Sequence, residues 1–334
     1  MKRGLIFSLI SLFLLTSCFK EDEMVTPHDP GDVLTAVAEM GQLYDRTVFY
    51  DLGTASAVLE TGKMEWDLAF ESTSGGWRIL LNTTRFMKVA PSGVYDLNEV
   101  SDTVGLRWRF DKSDGNPDST GFGTWFDVNG EDTLTNAEVY VVDLGFTSTG
   151  VALGLRKLQI IDFQDDKYVI RYAKMNGTDL REAVVMKDPG MPLVFYSLIN
   201  HKLTEGVWPQ SGSWDLWFTQ YTTLLFTNEG DPYPYIVTGV LSNIRDGVEV
   251  AVDTLRDFQD IDFDFAQVLE YSNAADRIGY DWKWYDFNAT SYTVLPGINY
   301  LVRTTEGLYF KLRFIGFYND QGEKGFPTFE FQQL

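Results

Sequence analysis

Trp66-Asp67-Leu68-Ala69-Phe70 and Trp214-Asp215-Leu216-Trp217-Phe218 are two versions of one stretch, and reading them together decides the fold. Each follows a matching apolar run, Val48-Phe49-Tyr50-Asp51-Leu52 in the first instance and Val194-Phe195-Tyr196-Ser197-Leu198 in the second. From Leu52 to Trp66 is 14 positions and from Leu198 to Trp214 is 16, so order and spacing both recur. Self-similarity at a long period is the signature of a repeated structural unit. Downstream, Tyr140-Val141-Val142-Asp143 is echoed by Tyr300-Leu301-Val302-Arg303, and Lys157-Leu158-Gln159-Ile160-Ile161 by Lys311-Leu312-Arg313-Phe314-Ile315. The offsets of about 146, 148, 160 and 154 drift as loop insertions between common strands would make them drift. The pattern predicts a tandem pair of domains, residues 33–188 and 193–334, divided at Pro189, Gly190 and Pro192. Either half is long enough to bury a core of its own.

Within the repeated blocks the periodicity is two. Trp66, Leu68 and Phe70 alternate with Asp67, Ala69 and Glu71, as in a strand with one face buried. Trp77 to Leu81 follows Gly75-Gly76 and predicts a hairpin. Val139 to Leu144, Leu155 to Phe163 and Lys167 to Tyr172 read as strands, and Asp165-Asp166 as a turn. Residues 300–303 and 308–318 flank a Thr-Thr-Glu-Gly turn, with Phe329-Glu330-Phe331 as a closing strand. Asp260 to Phe265 alternates as a strand with an acidic outer face, and Phe265 to Tyr271 allows a short helix. The expected fold class is all-β and antiparallel.

The N-terminus reads differently. Met1-Lys2-Arg3 followed by an apolar run of 11 residues, Leu5 to Leu15, is too short to cross a bilayer and suits a signal peptide over residues 1–17. It ends in Leu15-Thr16-Ser17-Cys18, similar to the lipobox at which a cysteine thiol receives a diacylglycerol. Cys18 is the only cysteine in the chain, so intramolecular disulfides and multi-thiolate zinc or iron–sulfur sites are excluded. Residues 18–32 read as a polar, lipid-bearing tether that anchors the protein without a spanning helix. Lys20-Glu21-Asp22-Glu23 resembles a signal for export to the outer face of the outer membrane.

A formal net charge of −21 makes a polyanion a poor partner, so nucleic-acid binding is not expected. The chain has two histidines, His28 in the tether and His201, which leaves domain one without a Ser–His–Asp or Cys–His apparatus. No G-x-S-x-G, phosphate loop or H-E-x-x-H occurs, and the protein reads as no enzyme. Asp111 to Asp118 gathers oxygen ligands near Gly115 but lacks calcium-loop spacing, and a plain Asp/Asn/Gly/Pro turn explains it as well.

The leader, the Val-Phe-Tyr-Asp-Leu run, Trp-Asp-Leu-Ala-Phe and the terminal hairpin Tyr300-Leu301-Val302-Arg303, Gly307, Tyr309, Lys311-Leu312-Arg313-Phe314 resemble the HmuY-like family of bacterial surface lipoproteins. Ile278-Gly279-Tyr280-Asp281-Trp282-Lys283 adds to the likeness. The resemblance implies two tandem HmuY-like antiparallel β domains, and founding members of the family are haemophores that hold haem through two axial side chains. Those use paired His, and some relatives Met. A paired-His site is not available within one domain here, so the resemblance implies haem, if bound, on Met64, Met87, Met175 or Met186 of domain one, with His201 as the remaining imidazole. The bland reading of those Met residues is core filling. Two other functions fit the composition: a carbohydrate-binding lipoprotein using Trp77, Trp108, Trp125 or Trp284 as stacking platforms, and a structural or protein-interaction module.

Overall fold

A computed structural model describes residues 30–129, 132–164 and 166–334. The leader, Cys18 and His28 lie outside the described residues. In chain order the strands are β1 (Leu34–Val37), β2 (Arg46–Asp51), β3 (Ser56–Gly62), β4 (Leu68–Glu71), β5 (Ile79–Leu81), β6 (Lys88–Pro91), β7 (Phe126–Asn129) and β8 (Asp132–Thr135). They continue with β9 (Val139–Asp143), β10 (Leu155–Asp162), β11 (Lys167–Lys174), β12 (Arg181–Met186), β13 (Leu193–Ser197), β14 (Lys202–Thr204), β15 (Leu216–Phe226) and β16 (Pro232–Ser242). The last are β17 (Glu249–Asp253), β18 (Lys283–Asp286), β19 (Ser291–Val294), β20 (Asn299–Arg303), β21 (Tyr309–Tyr318) and β22 (Lys324–Gln333). One α-helix, α1 (Phe263–Gln267), occurs among the described residues. The fold is all-β, and the ladders between these strands are antiparallel.

Two five-stranded sheets share one strand order: β1-β22-β21-β20-β17 and β12-β11-β10-β9-β6. Two four-stranded sheets share another: β3-β2-β15-β16 and β14-β13-β4-β5. The likeness extends to register. Val48, Phe49 and Tyr50 pair with Phe218, Trp217 and Leu216, while Val194, Phe195 and Tyr196 pair with Phe70, Ala69 and Leu68. The apolar run of each half therefore pairs with the Trp-Asp-Leu block of the other half.

This exchange differs from a division at 189–192. Strands β13 and β14, C-terminal to that point, complete the sheet of β4 and β5, and β1 to β3 complete sheets of the second half. One core is built from Leu68 to Leu198, and the other from Ala38 to Leu52 together with Leu216 to Phe331. The physical reason lies in burial. In β2 and β4 consecutive residues are buried on both faces, so each is a central strand that needs a partner layer on either side. Val48 and Tyr50 face one core, whereas Phe49 faces the seam between the halves.

The seam is aromatic. Phe49 meets Trp214 edge-on with ring centroids 5.0 Å apart, and Phe195 meets Trp66 edge-on at 5.0 Å. Trp208 contacts both phenylalanines, at 5.0 Å from Phe49 and 5.7 Å from Phe195. Each such pair adds about 0.5–1.5 kcal/mol to the burial of its rings. The aspartates of the two blocks act on backbone: Asp215 accepts the Leu52 N–H at 2.9 Å, and Asp67 accepts the Ile199 N–H at 3.1 Å. Asn82 and Asn243 then follow the repeated strands and each opens a 3-10 turn, Thr83–Arg85 and Ile244–Asp246.

The strand expected at Asp260–Phe265 does not form. Phe258–Asp260 is a 3-10 turn and Phe263–Gln267 is helical, because Asp262 accepts the Phe265 N–H at 2.9 Å as an N-cap. Asp262 was a cap signal, not an outward-facing strand position.

Candidate functional site

Where the two halves meet, a cleft of about 630 Å³ opens to solvent. Its charged lining residues are Lys63, Arg85 and Lys324, with no carboxylate among the lining. Tyr44, Phe86, Phe146 and Tyr235 supply aromatic surface, and Phe146 and Tyr235 are exposed. In a chain of net charge −21, this is a local concentration of positive charge.

Asn82 positions two of the cations. Its side-chain amide donates to the carbonyls of Lys63 at 2.9 Å and Trp66 at 2.8 Å, and its Oδ1 accepts from the Thr84 N–H at 3.2 Å and hydroxyl at 2.6 Å. The turn carrying Arg85 is thus tied to the loop carrying Lys63. Two glycines bring the remaining walls in. Gly145, at φ +71°, lies so near the Arg85 carbonyl that a Cβ would sit 1.9 Å from it, and Phe146 N–H donates to that carbonyl at 3.0 Å. Gly325, at φ +97°, meets the Gly41 carbonyl in the same way and sets Lys324 beside Tyr44, its ammonium 5.3 Å from the ring centroid.

The cations are differently held. Arg85 is buried and pairs through Nη2 with Asp67, and the same nitrogen lies 3.1 Å from the Met87 sulfur. Its Nε and Nη1 are buried without a hydrogen-bond partner. An unpaired buried donor of a charged group costs more than the 1–3 kcal/mol typical of neutral groups. Lys63 donates to Gln220 Oε1 at 2.9 Å. Burial lowers its pKa to about 8, and Arg85 pushes in the same direction while Asp45 opposes. Tyr44 is held far above its ordinary pKa by burial, then by Tyr292 and Tyr318, so it presents a neutral phenol.

The methionines and histidine singled out from sequence lie elsewhere. Met64 neighbours Lys63 but does not line the cleft. Met87 is fully buried in the core of the first half. Met175 packs beside Val139 and Ala173 on a satellite cluster, and Met186 is exposed on β12. His201 engages both ring nitrogens, Nδ1 with the Tyr172 hydroxyl at 3.0 Å and Nε2 with Asp179 at 3.3 Å. Burial lowers its pKa, with Arg181 adding to the effect. No two of the five converge on this cleft. Of the four tryptophans considered as platforms, Trp125 is fully buried and donates to the Trp77 carbonyl at 3.0 Å, so it offers no face to a ligand. Trp77 is covered by the Lys187 ammonium, and Trp108 is half-buried. Trp284 is exposed near Phe287 on the β18–β19 hairpin. Among the described residues, no group of three or more His, Cys, Asp and Glu is arranged to hold a metal ion. Asp111, in the oxygen-rich 111–118 segment, accepts the Leu81 and Gly121 N–H groups at 2.7 Å each.

The family model described as HmuY protein matches residues 43–331, most of the chain and both halves of the exchange. The chain belongs to the HmuY family. Solved structures similar to this HmuY-family chain include apo PinO from Porphyromonas gingivitis, at 10% identity and a TM-score of 0.29, covering 91% of this chain and 98% of that one. The apo HmuY analog of Tannerella forsythia is similar at 8% identity and a TM-score of 0.26, with the same coverage of 91% and 98%. No curated protein matches this HmuY-family chain.

Proposed function

We propose that this HmuY-family chain is a non-enzymatic lipoprotein of the bacterial outer surface, anchored through Cys18, that binds a planar dicarboxylate of the haem type in the cleft. The observation that carries the reading is the lining: three cations, four aromatic rings and no carboxylate in a strongly acidic protein. A volume of about 630 Å³ lies within the roughly 300–1,000 Å³ of cofactor-sized sites. Lys63 and Lys324 suit the carboxylates, with the buried Arg85 adding positive charge behind them, and Tyr235 and Phe146 suit the ring faces. These residues fit the periphery of a porphyrin. Neither His nor Met lines the cleft, so iron would meet no strong pair of axial side chains, and affinity would rest on charge and stacking.

Titration of the full chain with ferric haem tests this. The expected result is a saturable Soret shift without a bis-imidazole low-spin spectrum, weakened roughly tenfold by Lys63→Gln or Lys324→Gln, as charge-assisted hydrogen bonds would give. It should be insensitive to Met175→Ala and Met186→Ala. A complex lost with a Met or His201 change and indifferent to both Lys changes would refute the cleft and restore the axial-ligand reading.

A further inference from the structure

A second cavity, of about 150 Å³, lies in the seam itself, apart from the cleft. Its walls are the indoles of Trp66, Trp208, Trp214 and Trp217, with Ala69 at its side. The loop from Asp111 to Ser119 forms its roof. That roof is fastened to the second half. Ser113 donates to Asp276 at 2.5 Å, Ala275 N–H donates to the Asp114 carbonyl at 2.9 Å, and a Cβ on Gly115 would stand 2.6 Å from Ile244 Cδ1.

Four charged residues belong to the lining: Arg78, Lys112, Arg245 and Asp111. Asp111 is already satisfied, each oxygen accepting a backbone N–H at 2.7 Å. Arg78 is committed to Glu71 at 3.4 Å and Asp118 at 3.5 Å. Arg245, at the mouth, forms no hydrogen bond or close ion pair with its side chain among the described residues, although the carboxylates of Glu71, Asp246 and Asp111 lie near enough to act on its charge, and Lys112 is exposed without a hydrogen bond or ion pair. An apolar cavity of about 150 Å³ is the size that stays dry and admits one benzene-sized ring. Indole faces favour an aromatic guest by stacking. The cations at the mouth keep their hydrogen-bond donors open to an anion, and a guanidinium matches a carboxylate as a fork.

We infer that the seam cavity binds a monocyclic aromatic carboxylate, its ring among the four indoles and its carboxylate on Arg245. The site is too small for a porphyrin and stands independently of the reading given to the cleft. Fluorine NMR of the full chain with 4-fluorophenylacetate tests it, with 4-fluorotoluene as the uncharged ring. The expected result is saturable binding of the acid, weakened at least fivefold by the surface change Arg245→Gln, with the toluene unaffected by that change. Ala69→Leu, which fills the cavity, should abolish binding of both, and saturating haem should displace neither. Absence of saturable binding of the acid, equal affinity in the Arg245→Gln variant, or displacement by haem would each overturn the assignment.

Discussion

Arg85 is the residue at which the cleft is most plainly built for something other than stability. A buried guanidinium with one carboxylate partner and two orphan nitrogens is poorly compensated. A fold selected for stability alone would gain by replacing it. Lys63 stands near it with a pKa lowered to about 8, chiefly by burial. Below pH 8 the amine is charged and can hold a carboxylate, and above it the amine is neutral and cannot. Affinity for a carboxylate ligand should therefore be flat from about pH 6 to 7.5 and fall as pH rises through 8 to 9. The unliganded protein responds oppositely, because a depressed lysine pKa makes stability rise with pH between about 8 and 10.5. Binding titrations at several pH values check this, and the step should vanish in Lys63→Gln. A loss of affinity that persists unchanged in that variant would assign the titration to another group.

At the scale of elements, the 3-10 turns after Asn82 and Asn243 are equivalent in place and unequal in use. Asn82 makes four hydrogen bonds and Asn243 donates to the Trp214 carbonyl at 3.0 Å and to Asp246 at 2.7 Å without capping its turn. Asn82→Ala should cost on the order of 2–4 kcal/mol and Asn243→Ala about 1–2 kcal/mol. Urea unfolding measures both, and an equal or smaller loss for Asn82→Ala would contradict the role given to it. The strands themselves were legible. The apolar runs of β9 to β11, β20 and β21 place those strands within a residue or two, whereas β22 begins at Lys324, five residues before the expected Phe329. Lys157 and Lys311, matched in sequence, also match in space, donating to the loop carbonyls of Val100 at 3.1 Å and Ile261 at 2.9 Å. The cleft was not legible. Lys63 adjoins the suspected Met64 and Arg85 lies two residues before Met87, yet nothing local marks them as lining residues. Their convergence with Lys324, far along the chain, depends on strand pairing that periodicity does not specify.

For the whole molecule, the repeated blocks occupy equivalent places in the two four-stranded sheets, and their pairing was not foreseen. Val-Phe-Tyr-Asp-Leu and Trp-Asp-Leu-Ala-Phe lie close together in sequence, and a division at 189–192 would keep both within one domain. The exchange instead satisfies two central strands at once and leaves the continuous stretch from β4 to β14 as the unit with a complete core. A fragment of residues 64–208 should accordingly unfold cooperatively in urea, while residues 33–188, lacking β13 and β14, should not. Cooperative unfolding of 33–188 with none for 64–208 would argue against the exchange. The same arrangement forms the cleft, because Arg85 and Phe146 come from one side of the seam and Lys63, next to β3, comes with Tyr235 and Lys324 from the other.

The central claim is that cations of the cleft hold a ligand by its carboxylates. Its most direct test compares ferric haem with haem dimethyl ester, which keeps the iron and the ring and removes both negative charges. By Soret titration of the full chain at pH 7, the ester should bind at least tenfold more weakly than haem, and Lys63→Gln combined with Lys324→Gln should erase most of the difference. Equal affinity of haem and its ester for the unmodified chain would contradict the claim.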